Sequence, residues 1–167
     1  MATIPLSAFE IAGTVDGGPP TVLEVEEAAS QSFVAGEPVY IADSGYLTEC
    51  GDNPALVLGI AGAPAHNTTA GRYKIPVYLA DSRNIFRAQA ASAAGTRMAT
   101  TRAAIGRILA LFRDTTNSLL QVNGATFDGA NARVYCLGLD KQDVLGDTGG
   151  RYLVRFKPAN SQVGGTS

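Results

Sequence analysis

Between Thr21 and Lys157 the apolar positions come in brief runs, several alternating with polar ones, and turn-forming residues divide them. Alternation with a period of two marks a strand with one wet face. It is clearest in residues 151–157, where Tyr152, Val154 and Phe156 interleave with Arg151, Leu153, Arg155 and Lys157. On this pattern we expect strands over residues 21–26, 38–41, 46–49, 56–61, 74–80 and 84–88. Further strands are expected over 105–113, 118–122, 132–139 and 151–157. The dividers include Ala35-Gly36-Glu37, Ser44-Gly45, Gly51-Asp52-Asn53-Pro54 and Asn123-Gly124. Gly and Asn tolerate the positive φ of tight turns, so Ser44-Gly45 and Asn123-Gly124 are expected to be turns. The fold class implied is all-β, a small β-barrel or sandwich of short antiparallel strands.

The ends read differently. Residues 13–20 (GTVDGGPP) form a Gly/Pro breaker cluster, so residues 1–20 are expected to be an extended N-terminal arm. Its apolar side chains Ile4, Leu6, Phe9 and Ile11 need somewhere to pack, and are the candidate partner-contact residues. The alternative is that the arm is simply the first strand of the same barrel. The β domain should then cover residues 21–158, with 159–167 a frayed tail. Prolines 38 and 76 belong at strand starts or edges, because proline cannot donate to a sheet ladder. Residues 88–107 are alanine-rich but lack an apolar stripe, and are read as a short helix or an ordered loop. Val57, Leu58, Ile60, Val77, Leu79, Leu111, Val134, Val154 and Phe156 are expected to share one core.

Composition narrows the classes. Charged residues are 17% of the 167-residue chain, and the formal net charge is −2. Such sparse charge argues against a polybasic nucleic-acid binder and favours a chain that covers part of its surface with partners. No apolar run approaches a membrane span, and residues 1–30 do not read as a secretory signal. The expectation is a protein with neither direct nucleic-acid nor membrane contact.

Candidate chemistry is thin. His66, the single histidine, lies in a turn-like loop without a neighbouring histidine or carboxylate cluster, and reads as an exposed loop residue. A β-barrel enzyme built on His66, Asp81 and a hydroxyl is the catalytic alternative. Cys50 and Cys136 are expected to be free thiols, a disulfide being possible only where their strands meet. Asp140, Asp143 and Asp147 lack the spacing of a calcium-binding EF-hand loop and read as a polar turn. The glycine clusters match no phosphate-binding motif. No catalytic, cofactor-binding or metal residue is assigned, and a non-enzymatic protein is expected.

The run from Phe33 through Ala35-Gly36-Glu37-Pro38-Val39-Tyr40-Ile41, then Gly45-Tyr46-Leu47, then Val57-Leu58-Gly59-Ile60-Ala61, resembles the capsid decoration, or cement, proteins of tailed bacteriophages. Val77-Tyr78-Leu79-Ala80-Asp81 with Ile85-Phe86, Leu109–Phe112, Ser118–Val122 and Arg151–Phe156 are similar to patterns later in that family. The resemblance covers residues 33–157 in short patterns. It implies a small β structural protein on the virion surface, made in the host cytoplasm. Its partner would be the major capsid protein, and the protein itself a homotrimer clamping neighbouring subunits. A receptor- or carbohydrate-binding β-module is the alternative.

Overall fold

The computed structural model describes residues 7–92, 96–113 and 119–163. In chain order the strands are β1 (Glu10–Thr14), β2 (Val22–Glu26), β3 (Pro38–Ile41), β4 (Leu47–Glu49), β5 (Gly59–Ala61) and β6 (Lys74–Leu79). Then follow β7 (Asn84–Ala91), β8 (Ile108–Arg113), β9 (Leu120–Phe127), β10 (Ala132–Leu139) and β11 (Arg151–Phe156). The protein is all-β; the helical content of the described residues is two 3₁₀ turns, Arg102–Ala104 and Pro158–Asn160.

The strands form two sheets that each curl toward closure. In the larger, the order β1-β7-β11-β10-β8-β9 returns on itself, because β9 also pairs with the end of β7 through Ala90↔Val122 and Ala91↔Asn123. The closing pair is parallel; the other pairings are antiparallel. Register shifts at Ala132/Val134, Cys136/Gly138 and Leu109/Leu111 mark bulges. Bulges bend a strand and raise its twist, which is what a small barrel needs to close. Phe86, Leu109, Leu111, Val122, Val134, Tyr152, Val154 and Phe156 fill the interior.

The smaller sheet, β2-β6-β5-β3-β4, is antiparallel throughout. Just past β2, Glu27 bridges to Leu47 of β4, and the N–H of Ala28 donates to the Leu47 carbonyl at 2.9 Å. That contact brings the two ends of the sheet together around Phe33, Val39, Leu47, Leu58, Ile75 and Val77. The two interiors are neighbours: Ile60 of β5 belongs to the larger core, and Tyr40 and Tyr78 pack against it. The residues expected to share one core are therefore divided, with Leu58 and Val77 on one face of the small sheet and Val57 and Ile60 on the other. A strand's side chains alternate between faces, so adjacent apolar residues serve two cores.

The arm expectation needs correction. β1 pairs with β7 over Glu10↔Arg87 to Thr14↔Asn84, and Phe9 is 3% exposed within the larger core. Residues 9–14 belong to the domain, as its first strand. Phe9 is anchored at both ends: its N–H donates to the Gly36 carbonyl at 3.0 Å, and its ring stacks on Phe156 at 6.2 Å. Gly36 has φ +90°, and an added Cβ there would meet the Phe9 carbonyl at 2.5 Å, so this crossing requires glycine.

Other boundaries also moved. Asn123-Gly124 lies inside β9 and is no turn. In its place the Asn123 carboxamide accepts from the N–H groups of Ala125 and Thr126. β7 runs on to Ala91, and the stretch beyond it is ordered loop plus one 3₁₀ turn among the described residues. The frayed-tail expectation fails for residues 160–162. Val57 donates to the Asn160 carbonyl, Gln162 donates to the Val57 carbonyl, and the Gln162 carboxamide bonds both the N–H and the C=O of Ile41.

Candidate functional site

Two of the four candidate contact residues, Phe9 and Ile11, are described, and both pack with the larger core. Phe9 is core, Ile11 is half-buried against the same core, and Ile4 and Leu6 lie outside the described residues. Burial of Phe9 is explained by β1 joining β7, which turns an unpartnered apolar segment into part of the sheet.

His66 is more structured than an isolated loop histidine. Glu27, fully buried, follows β2 directly and turns its carboxylate toward the 62–73 loop. It accepts the His66 main-chain N–H at 3.1 Å and contacts His66 Nδ1 at 2.9 Å. An ionised carboxylate only accepts, so this contact requires the proton on Nδ1 and turns Nε2 away from the pair. The imidazole stacks on Tyr73 at 4.0 Å, and the Arg72 guanidinium lies 5.5 Å from the Tyr73 ring centre. Main-chain bonds from Glu27 to the Tyr73 carbonyl and from Gly71 to the Glu27 carbonyl complete the clamp. The arrangement satisfies a buried carboxylate and ties the loop to the end of β2. Asp81 serves elsewhere: it accepts from the N–H groups of Arg83 and Asn84 in the turn between β6 and β7.

The carboxylates of the 140–147 loop are likewise engaged. Asp140, 1% exposed, pairs with Arg87 and accepts the Gln142 N–H. Asp143 takes both Nε and Nη2 of Arg151 at 3.0 and 2.9 Å, and also its main-chain N–H. Asp147 accepts the Val144 N–H at 2.9 Å. This is the polar turn expected. Among the described residues no group of three or more His, Cys, Asp or Glu is placed to hold a metal ion.

Cys50 and Cys136 are free and buried. Burial pushes the Cys50 thiol up to about 12 and the Cys136 thiol to about 11, so neither offers a thiolate at neutral pH. A half-buried arginine links the two sheets. The Arg113 guanidinium at the end of β8 contacts Glu37 at 3.0 Å and donates to the Cys50 carbonyl, while its main-chain N–H donates to Asp52. Burial holds the Glu37 carboxyl above its ordinary range despite that partner.

One surface feature went unread in the sequence. Val22 and Leu23 of β2 are 45% and 43% exposed, side by side on the outermost strand of the small sheet. The alternation in Val22-Leu23-Glu24-Val25-Glu26 marks a strand, but nothing in it says which edge of a sheet that strand occupies.

No protein-family model matches this chain. No curated protein matches it either.

Proposed function

We propose that this chain is a structural decoration protein of a tailed-bacteriophage capsid, binding the outer face of the assembled major capsid shell as a homotrimer. The observation that carries the reading is the run over residues 33–61 that resembles such proteins. Phe33, Val39, Leu47, Leu58 and Ala61 of that run fall together in the smaller core, and Val57 and Ile60 face the larger one, so the run lies between both cores. Sparse charge supports a protein that works by contact rather than by chemistry. The engagement of His66 by Glu27 and Tyr73, and of the 140–147 carboxylates by arginines and turn N–H groups, supports the same non-enzymatic reading.

The mechanism is linkage. A ligand that binds the assembled shell and not its dispersed subunits stabilises the shell by RT ln(1 + [L]/Kd), about 2.7 kcal/mol at a hundredfold excess over Kd. The test uses undecorated heads assembled from the major capsid protein of the same genome. The expected result is co-sedimentation at a saturating ratio of three chains per site, with a rise in the heads' disruption temperature. Failure to bind heads, or specific glycan binding in its place, overturns the proposal.

A further inference from the structure

The bulge in β9 opens a cavity on the outer face of the larger sheet. Between Leu111↔Val122 and Leu109↔Phe127 a single β8 residue, Ala110, faces residues 123–126 of β9. Leu109, Leu111, Val122 and Val134 fill the interior, so Ala110 and Phe112 turn outward, and Ala132 joins them as the direct partner of Ala110. Phe112 is 4% exposed yet belongs to neither core. These three side chains line the apolar part of a cavity of about 350 Å³, flanked by the 52–53 and 129–131 turns. That volume lies at the lower end of small-molecule sites, which run from about 300 to 1,000 Å³.

One polar group in the cavity is buried and unmet. Asn123 is 7% exposed and lines it. Its Oδ1 accepts from the N–H groups of Ala125 and Thr126, at 2.9 and 3.2 Å, which holds the carboxamide in one orientation. Its Nδ2 carries two donors and has no hydrogen-bond partner among the described residues. A buried donor left unpaired costs free energy, and an acceptor on a ligand removes that cost. Asp52, also in the lining, accepts the Arg113 main-chain N–H through Oδ1 at 2.9 Å and keeps lone pairs for a ligand's O–H.

The lining also selects the ligand's charge. Among the described residues that form it there is no Lys, Arg or His. Two arginines nearby in the fold are engaged elsewhere. The Arg113 guanidinium contacts Glu37 and the Cys50 carbonyl, and Arg133 donates to the carbonyls of Pro54 and Ala130. With Asp52 supplying negative charge, an anion is disfavoured. A neutral ring bearing hydroxyls matches the lining, because each hydroxyl both donates and accepts and the ring's C–H face suits the face of an aromatic side chain.

We propose that the cavity beside the β9 bulge binds one neutral sugar ring. Asn123 Nδ2 donates to one of its hydroxyls, Asp52 accepts from another, and Phe112 packs against its apolar face. The site is independent of the shell-binding reading, which stands or falls on binding to heads whatever the sugar result.

The test is an NMR titration of the isotope-labelled full chain with free glucose, galactose and mannose, and with neutral oligosaccharides ending in each. The expected result is saturable shifts of the Asn123 side-chain NH₂ and of the Gly129 and Asn131 main-chain N–H groups with a neutral sugar. The uronic acid of that sugar should bind at least about tenfold more weakly. Equal affinity for the free ring and the oligosaccharide assigns a monosaccharide ligand; tighter oligosaccharide binding assigns the end of a glycan. Asn123→Asp keeps Oδ1 for the bulge and removes both donors, and should weaken binding about tenfold or more. Ala110→Leu alters no polar group, fills the cavity from β8, and should abolish the shifts. No saturable shift with any of the sugars, shifts confined to other regions, a uronic acid bound as tightly, or binding that survives either variant in its folded form overturns the proposal.

Discussion

Leu58 is 2% exposed and packs in the smaller core with Val39, Ile75 and Val77. Truncating such a side chain removes its transfer free energy and leaves a cavity, so Leu58→Ala should cost about 2–5 kcal/mol. A urea midpoint lowered in proportion checks it. Asp143 allows a second expectation. Burial pushes its carboxyl up, but the Arg151 side chain and main-chain N–H outweigh burial and hold it below the usual range. A carboxyl depressed on folding contributes stability above its unfolded value, about 3.9 for Asp, and loses that contribution as pH falls through the folded value. Asp143→Asn should therefore flatten the acid limb of the stability profile below about pH 4, read from urea midpoints across that range. Glu37 has the opposite sign. Its raised carboxyl binds a proton more readily when folded, so its charged form costs stability at neutral pH.

At the scale of elements, β1 decides how the N-terminus behaves. Its ladder with β7 and the burial of Phe9 mean that deleting residues 1–13 strips one edge of the larger barrel. Phe9→Ala should cost about 3–5 kcal/mol, and the deletion more, both read as a lowered melting temperature of the protein alone. An unchanged melting temperature would restore the independent arm. Sequence placed most strands within a few residues, since β3 and β10 match their expected bounds and β2, β4, β6 and β11 are trimmed by one residue or so. It missed β1 because Gly13 and the following Gly/Pro cluster look like a hinge. A bulge absorbs that glycine within the strand, and bulges leave no local signature separable from a turn. Asn123-Gly124 erred the other way: the dipeptide suited to turns lies within β9, in a wide bulge where the β8 ladder jumps from Leu111↔Val122 to Leu109↔Phe127, while β7 pairs with Asn123 on the other side.

For the whole molecule, the question is whether two cores make two cooperative units. Ile60, Val57, Cys50 and Ala80 come from the small-sheet region yet belong to the larger core, and Arg113 bridges from β8 to Glu37 and Cys50. Shared side chains couple the two, so one unfolding transition is expected. Leu58→Ala in one core and Val154→Ala in the other should each shift the same transition, coincident by near- and far-ultraviolet circular dichroism. Two separated transitions would show independent barrels. The thiols give a parallel readout: Cys50 and Cys136, both buried with raised pKa, should resist alkylation until that transition and then react together.

The amino-acid order by itself determined the all-β class, most strand positions and the polar turn at 140–147. Each rests on local information: period-two alternation, turn residues, carboxylate spacing. That Cys50 and Cys136 stay apart as free thiols is a fact of the fold. Tertiary structure alone decided that Phe9 is core, that Leu58 and Ile60 face different interiors, and that Glu27 receives His66. It also decided that β2 lies at the end of its sheet. These are facts about which strand lies beside which, and neighbours such as Ala90 and Val122 are distant in the chain. Side-chain alternation states that a strand has two faces, but both its edges carry the same main-chain groups whatever the sequence. Whether an edge is paired or open is therefore settled only when the sheet closes.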